Sequence, residues 1–106
     1  HHLHDVAHPS WWIGPDGAAP APFTTISAAD VDAGRWRAAD PAARERTWAY
    51  VAALEANGRP PLCVWPPHCL LGTPGHAVHA PLASAIGRWC AAGRWVDWRV
   101  KGLNPW

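Results

Sequence analysis

The sequence contains no methionine, one phenylalanine and one tyrosine, and only 16% of its 106 residues are charged. An intact reading frame opens on methionine, whereas this chain opens on His1-His2-Leu3-His4, which reads as a processed chain or an internal segment of a longer protein. Average soluble domains carry roughly 25% charged residues, so a highly charged disordered chain is excluded. Nine Lys and Arg against eight Asp and Glu leave a net charge of +1, without the basic excess that nucleic acid or an acidic membrane surface attracts. Long apolar runs are missing as well. Pro, Gly or Arg interrupts every apolar stretch well before the about 20 residues that span a bilayer, and no secretory signal is present. The three cysteines, Cys63, Cys69 and Cys90, fit neither a paired disulfide framework nor a CxxC zinc knuckle, and read as reduced thiols of a cytoplasmic protein.

What the chain does have is nine tryptophans, twelve prolines and 49% hydrophobic residues, in a length that holds one domain. Residues 1 to 39 show no sustained period and are punctuated by Pro9, Gly14, Pro15, Gly17, Pro20, Pro22 and Gly34. Trp11, Trp12, Ile13, Phe23, Ile26 and Trp36 make this stretch too apolar for a plain linker, so an ordered binding loop is expected. Ser27 and Asp30 are placed to cap a short turn that Gly34 closes. Residues 40 to 106 carry regular patterns. Asp40-Pro41 opens and Asn57-Gly58 closes an amphipathic helix over about 41 to 57, with Ala43, Thr47, Tyr50, Val51 and Leu54 at helical spacing. Leu62 to Trp65 is a short apolar run between proline pairs, expected as a buried strand. Leu82, Ala85, Ile86 and Trp89 mark a second helix ending at Ala92-Gly93, and Val96, Trp98 and Val100 alternate with charges in a second strand.

The order helix, strand, helix, strand with short connections implies right-handed crossovers and an α/β fold with a parallel sheet flanked by helices. Two strands cannot make a complete sheet of the usual five or six. One partial domain over residues 1 to 106 is therefore expected: a Trp- and Pro-rich loop over 1–39, then the helix-strand-helix-strand portion over 40–106.

Ligands of open parallel sheets sit beyond the carboxyl ends of the strands, where His68 and Lys101 both fall. His1, His2, His4 and His8 crowd the amino end near Asp5, a donor set suited to Zn²⁺ or Fe²⁺, although a tag remnant or solvated terminus has the same composition. His76 and His79 read as surface residues. Lys101 has a plain alternative as the charged end of a half-exposed strand. Cys69 beside His68 has one as a small residue next to a turn, because adjacent loop residues rarely align as nucleophile and base.

The segment Trp65-Pro66-Pro67-His68-Cys69-Leu70-Leu71-Gly72-Thr73-Pro74-Gly75 resembles the WPxHCxxGTxG motif of nicotinamidases and the wider isochorismatase-like cysteine hydrolase superfamily. Val100-Lys101-Gly102-x-Asn104-Pro105 is similar to the strand-end lysine segment of that family, and His1-x6-His8-Pro9 with Trp11-Trp12 resembles its metal-ligand loop more loosely. The resemblance implies an isochorismatase-like three-layer α/β/α fold, only partly covered by this chain. It implies His1, His8 and His68 as ligands of a divalent metal ion (Zn or Fe), Lys101 as the catalytic lysine of an Asp, Lys and Cys triad, and Trp11 and Trp12 near the substrate. The triad Asp and the nucleophilic Cys would lie outside residues 1 to 106, and Cys69 would be the non-catalytic cysteine.

The implied reaction is hydrolysis of a small amide, nicotinamide to nicotinate and ammonia, through a thioester. A small-molecule amide substrate and a homo-oligomer are the partners expected, with no nucleic acid and no membrane. The competing expectation is a non-catalytic metal- and ring-binding module that uses the Trp-rich loop to stack a ligand.

Overall fold

The computed structural model describes residues 3–106, and its regular elements are short. Two strands, β1 (Trp12–Ile13) and β2 (Thr25–Ile26), precede the helix α1 (Ala28–Asp32); β3 (Arg37–Ala38) leads into α2 (Arg44–Ala56), and β4 (Leu62–Cys63) and α3 (Ala80–Ala91) follow. Strand β1 pairs antiparallel with β3, Trp12 opposite Ala38, and β2 pairs antiparallel with β4, Ile26 opposite Leu62.

This overturns the expected α/β fold. Among the described residues there is no parallel sheet and hence no isochorismatase-like three-layer arrangement. The reason is visible in the hydrogen bonds. Pro60-Pro61 and Pro66-Pro67 trim the apolar run at Leu62 on both sides and remove backbone donors. The donors that remain turn to upstream chain: Val64 N–H donates to Thr24 O over 2.9 Å and Trp65 N–H to Ala7 O over 2.6 Å. Residues 95 to 101, expected as the parallel neighbour, adopt no regular structure. Their alternation gave them an apolar face, but both sheets stop at two strands and residues 95 to 101 join neither.

The helices follow their local signals more closely. Asp40 accepts from Ala42 N–H over 2.9 Å and Pro41 starts a 3-10 turn that runs into α2. At the other end Gly58, φ +66°, closes a Schellman motif in which Gly58 N–H reaches Glu55 O and Arg59 N–H reaches Leu54 O. Ser27 and Asp30 form a reciprocal capping box on α1. Asp30 also accepts from Arg35 over 2.6 Å, and the Ser27 bonds foremost, with Arg35, hold its carboxyl down to about 2.

The core joins Val6, Ala7, Trp12, Ile26, Val51, Leu62 and Val64, and α2 faces it through Val51 and Thr47. The last buried residue is Val64, and nothing from residue 65 to 106 is buried. Among the described residues no helix is long and apolar enough to cross a membrane. Truncating Ile26, which is 0% exposed, should therefore cost about 2–5 kcal/mol, as large-to-small core changes do. Leu71→Ala, at an exposed loop site, should stay within about 0.5 kcal/mol. Urea unfolding followed by circular dichroism checks both.

Candidate functional site

The chain segment 5–8 runs between two others. Ala7 O accepts from Trp65 N–H, and Val6 N–H donates to Pro105 O over 3.0 Å. By fixing Trp65 against Ala7, this strip sets where the Pro66 to His68 loop begins, and His68 arrives beside His8 although sixty positions separate them.

The His8 ring is completely buried. The His4 ring meets it edge-on with centroids 5.6 Å apart, and the His68 ring lies at 6.1 Å on a tilted plane. Two imidazoles sharing a tetrahedral zinc ion at about 2.0–2.1 Å place their centroids roughly 5 Å apart, so the His4–His8 and His8–His68 pairs each stand about an ångström or less beyond that spacing. Among the described residues, however, no group of three or more His, Cys, Asp or Glu side chains is placed to hold a metal ion.

The hydrogen bonds decide which nitrogens can act as ligands. His68 Nδ1 lies 2.7 Å from Pro66 O, an acceptor, so Nδ1 carries the proton and Nε2 the lone pair. His8 Nδ1 lies 2.9 Å from Asp5 Oδ1 and 3.1 Å from the Asp5 amide. Donation to the carboxylate leaves the lone pair on Nε2, the tautomer a metal selects; acceptance from the amide gives the opposite tautomer. Asp5 is itself fixed, because its Oδ1 accepts from Ala7 N–H over 2.9 Å. His4 Nδ1 is 3.2 Å from Ser10 Oγ.

Burial lowers the His8 pKa below its ordinary 6.5; the Asp5 carboxylate opposes this, and His4 and His68 reinforce it. A neutral imidazole is the form that binds a metal.

An aromatic edge adjoins the cluster. Trp65 meets His68 at 6.4 Å between centroids and Phe23 meets Trp65 at 5.5 Å, both edge-on. Phe23 is 61% exposed and holds a φ of +71°, a left-handed conformation that costs a non-glycine residue about 1–3 kcal/mol.

Of the residues expected from sequence, His8 and His68 come together, whereas His1 lies outside the described residues. Trp12 is a core residue, 2% exposed, with its indole N–H donating to Val6 O over 2.7 Å. Trp11 donates to Thr47 Oγ1 over 3.0 Å and meets Trp106 edge-on at 4.9 Å. Lys101 lies in a different cleft, of about 280 Å³, with His76 and Trp98. The Cys69 thiol is exposed on left-handed backbone, φ +53°, while His68 Nδ1 turns to Pro66 O.

The sequence places Asp5 near the histidines but not as the partner of His8, and Phe23 and Trp65 are not expected at the site. The i,i+3 spacing of Asp5 and His8 was the available signal for the first, and nothing in the sequence marks the positive φ of Phe23.

Protonation supplies a check on the buried ring. Because folding lowers the His8 pKa, the unfolded chain takes up the proton first as pH falls through 6.5, and the folded state loses stability in that range. The thermal midpoint should fall on moving from about pH 7.5 to 5.5 and fall less in His8→Gln, as scanning calorimetry at several pH values will show. Comparison with known proteins adds no relative: no family model, no curated protein and no solved structure matches this chain.

Proposed function

We propose that this chain is the metal-holding part of a cysteine amidohydrolase similar to nicotinamidases, acting on a small amide of a flat ring. The observation that carries the reading is the meeting of His8 and His68 at 6.1 Å around a buried imidazole held by Asp5. It rests on that convergence and on the Trp65 to Gly75 motif, with no appeal to a parallel sheet. His8 and His68 would supply two ligands of a divalent cation, Zn²⁺ or Fe²⁺, with His1 as the third that the motif resemblance implies; when bound, the cation would orient a ring nitrogen of the substrate.

Asp5 sets the His8 tautomer, as carboxylates behind histidine ligands do. Phe23 and Trp65 offer a half-exposed aromatic wall for the flat ring. Lys101 has the charge to keep a thiolate nucleophile and its carboxylate partner ionised, the role the motif resemblance gives it. Free thiols at Cys63, Cys69 and Cys90 accord with a reducing compartment, the cytoplasm.

A second reading keeps the metal and the ring but drops the chemistry. The separation of Lys101 into the cleft with His76 and Trp98 favours it.

Titration calorimetry with Zn²⁺ tests the shared part. Binding should weaken more than about tenfold in His8→Ala and His68→Ala, weaken about 10- to 100-fold in Asp5→Asn, and stay unchanged in Trp11→Phe. Equal affinity in all four variants would remove the metal from the proposal. Because the resemblance places the nucleophilic Cys and the triad Asp outside residues 1 to 106, this chain alone should release no ammonia under either reading. Assayed in a protein that includes both, the amidase loses ammonia release from nicotinamide in Lys101→Ala at unchanged Zn²⁺ affinity, whereas a binding module releases none.

A further inference from the structure

Residues 80 to 101 form an arm that the core does not reach. Helix α3 buries none of its side chains, and Leu82, Trp89, Trp95, Trp98 and Val100 are all exposed. The radius of gyration is 18.2 Å and the long axis 59 Å, against a radius of about 13 Å for a close-packed chain of this length. Between α3 and the extended segment after it lies an open groove of about 310 Å³ lined by Ala85, Ile86, Trp89 and Val96. Arg94 stacks over the Trp89 ring at 4.3 Å, so this apolar groove has a cationic rim.

The arm's own body leaves the groove open. The chain is tied down on both sides of the arm, by Trp65 to Ala7 before it and by Pro105 to Val6 after it, with Trp106 held between Trp11 and Arg46. Pairing of arm with arm is opposed by charge, because each carries Arg88, Arg94, Arg99 and Lys101 against the single carboxylate of Asp97. Residues 3 to 79 have the opposite balance, seven carboxylates against five arginines.

On that body one exposed aromatic matches the groove. Trp48 on α2 is 45% exposed, its indole N–H donates to Asp32 Oδ1 over 2.7 Å, and Glu45 lies one helical turn before it. It is an acid-flanked tryptophan facing solvent.

We propose that two copies of this chain form a twofold dimer in which each arm receives Trp48 of the other copy in its α3 groove. Arg88 and Arg94 meet the carboxylates of Glu45 and Asp32, and the exchange is reciprocal, so the assembly closes. The proposal is independent of the metal, since neither surface includes a histidine of the cluster.

Sedimentation equilibrium of the full chain at low and high ionic strength tests it. The expected result is a dimer whose dissociation constant rises about tenfold or more from about 0.05 to 0.5 M salt, through screening of the rim charges. Trp89→Glu should yield a monomer with an unchanged circular dichroism spectrum, because the core uses nothing from the arm. Glu45→Lys should weaken the dimer, and Glu45→Lys with Arg94→Glu should restore it. A wild-type chain that stays monomeric throughout, or a dimer that survives both Trp89→Glu and Trp48→Glu, overturns the proposal.

Discussion

The strip from Asp5 to His8 is the constraint on which the rest of the structure depends. Its backbone is engaged on both edges, Val6 donating to Pro105 O and Ala7 accepting from Trp65 N–H, and the Val6 carbonyl also takes the Trp12 indole N–H. Four residues thus pin the start of the histidine loop, the end of the chain and the largest side chain of the core. The two small sheets have two residues in each strand and cannot do this themselves, since isolated two-stranded pairs are marginal in water. They persist because Trp12 and Ile26 carry them into the same buried cluster.

Burying His8 in that strip has a cost that explains its neighbours. An imidazole removed from water must be neutral or paired, and His4 and His68 make a second positive charge there still less favourable. Asp5 works in the other direction, drawing the proton to Nδ1 and lending charge to the ring. His8 is therefore pushed toward its neutral form by burial, while the hydrogen bond from His68 Nδ1 to Pro66 O leaves the His68 Nε2 lone pair available. A hydrophobic side chain at position 8 would fill the same space without the desolvation cost that the imidazole carries.

Local signals in the sequence were readable wherever the controlling atoms lie within a few residues of one another. The Asp40-Pro41 start, the Asn57-Gly58 stop, the Ser27 and Asp30 box and the α3 face all rest on contacts spanning at most five positions. Strand pairing was not readable, because nothing near Leu62 states whether its partner is Ile26 or a residue thirty positions downstream. The alternation of Val96, Trp98 and Val100 was real, but alternation specifies a face and says nothing of what covers it. Trp11 and Trp12 differ in a way the sequence does not state: the Trp12 indole N–H finds Val6 O inside the core, whereas Trp11, bonded to Thr47 Oγ1, stays partly exposed. His8 and His68 were legible as chemistry and illegible as neighbours, since only the Trp65 to Ala7 bond brings them together.

The same strip also limits what Lys101 can do. Four residues link Lys101 to Pro105, whose carbonyl is bonded to Val6, so the lysine backbone lies within about 14 Å of that anchor however the segment bends. The ε-ammonium is therefore tethered within reach of the histidine side of the molecule even though it rests beside Trp98 and His76. Residues 98 to 104 adopt no regular structure, whereas His8 is buried in the core and His68 sits on the exposed loop after Trp65. On the proposed reading, chemistry joining the two would have to bring the lysine toward His8, because the His8 ring is enclosed by the core.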